Sequence, residues 1–196
     1  MKRLIAVLVT FAMPTWAEPV SLDQISAYIN KLTSAETRFV QYNADGSRSR
    51  GTIYIKRPGR MRFEYDPPNE ALVLASGGVV AIFDAKSNTE PTQYPLKRTP
   101  LNLILGRGVD LEGSGMVVGH AEAENGMTLV TAQDPKTPEA GTIELYFQPD
   151  PLELVQWVIT DEAGTRTGVA LGPLDRSKEK SNIFFSVNRE AELRSQ

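Results

Sequence analysis

The chain has 196 residues, 41% hydrophobic and 23% charged, a balance that excludes disordered and fibrous classes and suits one globular domain. Its formal charge of −3 argues against a general nucleic-acid binder, which needs a basic surface. The absence of cysteine excludes disulfide staples, a thiol nucleophile and a Cys-based metal site.

Lys2 and Arg3 precede an apolar run, Leu4–Met13, of roughly ten residues, about half of what a bilayer span needs. Pro14 breaks the run, and Thr15-Trp16-Ala17 places small residues at the usual cleavage positions. The order predicts a secretory leader over residues 1–17, cleaved after Ala17, and a single domain over residues 18–196. Cleavage removes two of the 21 basic residues and none of the 24 acidic ones, so 19 face 24 and the charge becomes −5. The cleavage site lacks the cysteine that lipid attachment needs, and no later apolar run is long enough to cross a bilayer. A soluble, exported protein is expected.

Ser21 and Gln24 have the spacing of a capping box, and Leu22, Ile25, Ile29 and Leu32 recur at helical spacing. They predict an amphipathic helix over Leu22–Leu32 whose stripe packs on the protein's own sheet. Its polar side has only Lys31 as a cation, which weakens a membrane-surface role. Strands are then predicted over Glu36–Asn43, Arg48–Lys56, Arg60–Tyr65, Ala71–Ser76, Val79–Asp84 and Thr92–Leu96. Thr99 as cap, Pro100 at the first helical position and Leu101, Leu103, Ile104 and Leu105 predict a short helix that Gly106 ends. So apolar a helix must cover something apolar. Five more strands follow, over Met116–Glu122, Met127–Gln133, Thr142–Gln148, Leu152–Thr160 and Thr165–Leu171. Eleven short strands with tight turns argue for a mainly β protein, an antiparallel sheet or barrel.

Catalytic signals are weak. The single histidine, His120, lies in a predicted strand, no Gly-x-Ser-x-Gly elbow surrounds a serine, and the phosphate-loop pattern is absent. One histidine and no cysteine are too few ligands for a zinc site. No catalytic residue, metal or cofactor is expected.

What remains is apolar surface. Alternation puts Ile53, Ile55 and Arg57 on one face of their strand, and Met61, Phe63 and Tyr65 on one face of the next. Arg60, Arg62 and Glu64 point the other way, toward water. Paired as a hairpin, the two apolar sets share a concave face that ends at Arg57. This arginine reads either as a solvated strand-end residue or as a donor at a cavity rim. In the second case its five donors can gather backbone carbonyls, such as those at the end of the Pro100–Leu105 helix.

Gly51-x-Ile53-x-x-Lys56-Arg57-Pro58-Gly59-Arg60-Met61-Arg62-Phe63-Glu64-Tyr65, followed by Pro68 and Leu72-Val73, resembles the outer-membrane lipoprotein carrier (LolA) family. Phe39-x-Gln41, Gln93 and the stretch Leu96–Leu105 fall in the family's order. The resemblance implies an incomplete, half-open antiparallel barrel of about eleven strands, with helices as a lid over a hydrophobic cavity. It implies a periplasmic, monomeric carrier. Such a carrier takes lipoproteins by their acyl chains from an inner-membrane ABC transporter and passes them to an outer-membrane receptor. On this reading Arg57 is the lid latch. Ile53, Ile55, Met61, Phe63, Tyr65, Leu72 and Leu74 line the cavity, and Pro100, Leu101, Ile104 and Leu105 form the lid helix. The chain departs from the family at Gly77-Gly78, at Ala81, and in the tail Asn182–Asn188, which only loosely matches a last strand. Two other functions fit less well: a lipid-sensing regulatory domain on the same fold, and a secreted lipid hydrolase that would depend on His120.

Overall fold

The computed structural model describes residues 18–84 and 90–195, so the expected leader lies outside the described residues. Alternating apolar residues and tight turns give eleven strands. The first half of the chain forms β1 (Ser34–Tyr42), β2 (Arg48–Lys56), β3 (Arg60–Tyr65), β4 (Leu72–Ser76), β5 (Val79–Phe83) and β6 (Thr92–Pro95). The second forms β7 (Val117–Glu122), β8 (Thr128–Gln133), β9 (Thr142–Pro149), β10 (Leu152–Thr160) and β11 (Arg166–Leu171). All pair antiparallel in one open sheet, in the order β6-β5-β4-β3-β2-β1-β11-β10-β9-β8-β7. The two halves of the chain are thus joined where β1 pairs with β11.

The sheet is strongly curled. Phe63 on β3 and Trp157 on β10 are four strands apart, about 19 Å in a flat sheet at ~4.8 Å per strand. Their ring centroids are 6.2 Å apart, edge to face. The concave side therefore closes on itself around one core. Gly51 permits part of this packing. It sits opposite Phe39, and a Cβ there would lie 2.6 Å from that ring and 2.0 Å from the Glu64 carbonyl oxygen. Without it, the Phe39 ring lies 5.6 Å from Phe63 and 5.2 Å from Tyr65. The departure at Gly77-Gly78 is accommodated simply. Both take positive φ, 60° and 84°, as a two-residue hairpin turn between β4 and β5 requires.

Helix α1 (Leu22–Lys31) starts at the expected box: the Ser21 hydroxyl accepts from the Gln24 N–H, and the Gln24 side chain accepts from the Ser21 N–H. Helix α2 (Asn102–Leu105) begins later than its sequence suggests, and Thr99 does not cap it. The Thr99 hydroxyl donates instead to the Leu96 carbonyl, closing the preceding turn.

The tail, which only loosely matches the family's last strand, forms no strand. Asn182–Phe185 is a 3-10 turn, and α3 (Val187–Arg194) lies across the convex face. Two expectations change with it. Leu72 and Leu74 do not line the concave face: the residues opposite Phe63 and Met61 are Val73 and Ala75. Leu72 and Leu74 form a separate buried cluster with Ala81 and Phe83 beneath Val187 and Ala191. Because β4 is apolar on both faces, its own alternation cannot say which face is inside. Arg62, expected in water, is covered by the same tail and only 12% exposed.

Candidate functional site

The apolar stripe of α1 and the whole of α2 cover one end of the curled sheet. Ile25, Ile29, Leu103, Ile104 and Leu105 share a core with Ile53, Ile55, Met61 and Phe63 on β2 and β3. Val130, Leu145, Phe147, Leu154 and Trp157, from β8, β9 and β10, complete it. Ile53, Ile55, Met61, Phe63, Leu101, Ile104 and Leu105 are each at most 9% exposed, so side chains from the covering helices fill the concave face. Tyr65 is half-buried at its edge, donating to Gln41 Oε1 at 2.7 Å, and burial pushes its phenol up to about 12. Pro100 is half-buried beside α2.

Arg57 joins both helices to the sheet. One guanidinium nitrogen donates to the Ile29 carbonyl in the last turn of α1, and the other to the Gly106 carbonyl beyond α2, at 2.7 Å. Carbonyls at helix C-termini lack intrahelical partners and carry partial negative charge, so a guanidinium suits them. The backbone adds two bonds: Arg57 N–H to the Thr33 carbonyl and Gly59 N–H to the Leu105 carbonyl, both 2.8 Å. Arg57 Nε is buried with no partner among the described residues. Burial pulls the guanidinium pKa down from its ordinary value.

Helix α1 is also tied to the segment that follows α2. The Asn30 amide pairs twice with Val109, donating to its carbonyl at 2.7 Å and accepting from its N–H at 2.9 Å. Ser26 Oγ accepts from the Leu111 N–H at 3.0 Å. Elsewhere α1 meets the second half of the sheet. Val20 N–H donates to Thr128 Oγ1 at 2.8 Å, and the exposed His120 holds the Val20 carbonyl through Nε2 at 2.9 Å. The Leu154 N–H donates to the Tyr28 hydroxyl at 3.1 Å.

The structure brings the expected residues of β2, β3 and α2 together and adds α1 and the β8–β10 wall to this site. The α1 stripe packs on the protein's own sheet, and alternation gives no sign of the β8–β10 wall. In β10 the alternation is broken, since Leu154 and Trp157 are both buried although three residues apart. A bulge between Leu154 and Gln156 shifts the phase.

The chain is similar to known proteins. The family model of the outer membrane lipoprotein carrier protein LolA matches residues 30–188. The outer-membrane lipoprotein carrier protein of Chromohalobacter salexigens is 25% identical, with 98% of this chain and 96% of that protein covered. Its counterpart in Azotobacter vinelandii is 25% identical, covering 91% and 90%. An outer membrane lipoprotein-sorting protein domain from Vibrio parahaemolyticus superposes with a TM-score of 0.52 at 10% identity, over 87% of this chain and 97% of that one, and shows the shared fold alone. With the family model spanning most of its length, the chain belongs to the outer membrane lipoprotein carrier protein LolA family.

Proposed function

We propose that the protein carries lipoproteins through the periplasm as a soluble monomer, with their acyl chains on the concave face beneath α1 and α2. It receives them from an inner-membrane ABC transporter and yields them to an outer-membrane receptor. Family membership supports this reading. The observation that carries it is Arg57, whose one side chain bonds the carbonyl ends of both covering helices above a hydrocarbon core. The buried lining is almost wholly alkyl and aromatic, which suits binding and not bond-making. Among the described residues no helix is long and apolar enough to cross a membrane.

Each methylene moved from water to such a core gains about 0.8 kcal/mol. A carrier that kept all of that gain could not release its cargo. Here acyl chains compete with Ile25, Ile29, Ile104 and Leu105 for the same surface, and Arg57 holds those side chains in place. The closed lid thereby lowers the apparent affinity by the fraction of molecules that are open. The test is purification of the tagged protein from periplasm, followed by mass spectrometry. Bound triacylated lipoproteins are expected, and more of them on Arg57→Leu. Recovery without lipoprotein from both proteins would sink the carrier reading.

A further inference from the structure

We propose that Tyr28 is a second clasp of the lid, holding α1 to the half of the sheet that Arg57 does not reach. The inference rests on the reading of α1 and α2 as a lid.

The clasp is built on the irregularity in β10. The register passes from Leu154 opposite Phe147 to Gln156 opposite Tyr146, leaving Val155 as an extra residue. A bulge disrupts the ladder locally, and a buried N–H left without an acceptor is costly. The Tyr28 hydroxyl accepts from the Leu154 N–H in a buried setting. The Tyr28 ring packs edge-on against Phe147 with centroids 6.0 Å apart, and the Arg176 guanidinium lies 5.3 Å from its centroid. The hydroxyl is therefore fixed in position and matched to one irregular site on the wall.

Tyr28 and Ile29 are neighbours on α1, but they grip different strands. The Ile29 carbonyl is held by Arg57 at the end of β2, whereas the Tyr28 hydroxyl is held by β10. Between those strands lie β1 and β11, where the two halves of the chain meet. Releasing the Arg57 side chain alone removes its bonds to the C-terminal end of α1 and to Gly106 beyond α2, on the β2–β3 side. It leaves α1 docked over β9 and β10. Full access to the concave face requires both contacts to break, so each suppresses binding separately.

The experiment measures the affinity of a fluorescent palmitic acid analogue for the full exported protein, for Tyr28→Phe, for Arg57→Leu and for the double variant. Phenylalanine keeps the ring against Phe147 and removes only the hydroxyl. Loss of one net hydrogen bond favours the open lid about fivefold. Tyr28→Phe should bind the probe about that much more tightly, and the double variant should show the product of the single effects. An unchanged affinity in Tyr28→Phe beside a raised one in Arg57→Leu overturns the clasp and leaves the lid intact. No change in either variant removes the lid reading and the clasp with it. Hydrogen exchange on the unmutated protein keeps the test independent of any folding defect. At saturating probe the Leu154 amide should lose protection while the other ladder amides of β9 and β10 keep theirs. If the Leu154 amide stays protected, Tyr28 does not release and the proposal fails.

Discussion

Arg57 and Arg62 stand five residues apart around one hairpin, on opposite sides of the sheet, and their charges are satisfied in opposite ways. Arg62 meets anions. It donates to Glu64 at 2.7 Å and to Glu190 at 3.0 Å, and its guanidinium lies 4.7 Å from the centre of the Phe184 ring. Arg57 meets only carbonyl dipoles at helix ends and leaves Nε without a partner among the described residues. Breaking a buried ion pair strands a charge and costs several kcal/mol. Letting go of two carbonyls returns a poorly satisfied cation to water, which offsets much of the loss. The convex contact is suited to permanence and the concave one to reversal, although the same residue type makes both.

The largest expected effect is on the convex side. Arg62→Ala should lower unfolding stability by about 2 kcal/mol, because among the described residues Glu190 would keep only Arg194 as a partner. At this chain length that corresponds to a Tm lower by about 4–8 °C. An unchanged Tm would show that the tail is only draped on the sheet.

Arg57→Leu should behave differently. Replacing a half-buried cation that has no counter-ion among the described residues by an apolar side chain is near neutral, within about 1 kcal/mol. Probe affinity should nevertheless rise about tenfold as the lid opens, equivalent to about 1.4 kcal/mol. A loss of stability as large as that of Arg62→Ala, with no gain in binding, would make Arg57 a structural residue like its neighbour.

The smallest effect is a pH dependence of the tail. Burial alone would raise the Glu190 carboxyl, but bonds from Arg194 and Arg62 outweigh it and hold the pKa below the ordinary 4.5. A carboxylate depressed in the folded state contributes stability that is complete above its unfolded value and lost as pH falls through the folded one. Pepsin cleavage within α3 should therefore accelerate as pH is lowered below 4.5, and Glu190→Gln should remove most of that dependence. Guanidinium and carbonyl groups do not titrate there, so the Arg57 contact should not respond. Equal loosening of the lid and the tail with acid would erase the distinction between them.

Much of this was legible along the chain. The strand boundaries of β2 and β3 follow directly from alternation and turn residues, and Ser21 with Gln24 marks the start of α1. Ile53, Ile55, Met61 and Phe63 share one face because a strand has a side-chain period of two. These are local properties, and local sterics and hydrogen bonding are sufficient to set them.

Tertiary structure decided the rest. Alternation sorts residues onto faces but does not say which face is inside when both are apolar, so the resemblance alone assigns Leu72 and Leu74 to the cavity, whereas they lie beneath α3. Arg60, Arg62 and Glu64 read as solvated because they are charged, yet the tail covers Arg62. The tail contributes its aromatic turn and Glu190 from more than a hundred residues away. At the end of an apolar row Arg57 reads either as a solvated residue or as a rim donor, and its two acceptors come from the ends of separate helices, 28 residues before it and 49 after it. The Tyr28 clasp depends on a one-residue bulge in β10, which alternation registers only as a broken pattern. Which face is inside, and what closes over it, is set by contacts between distant segments, and no local period encodes them.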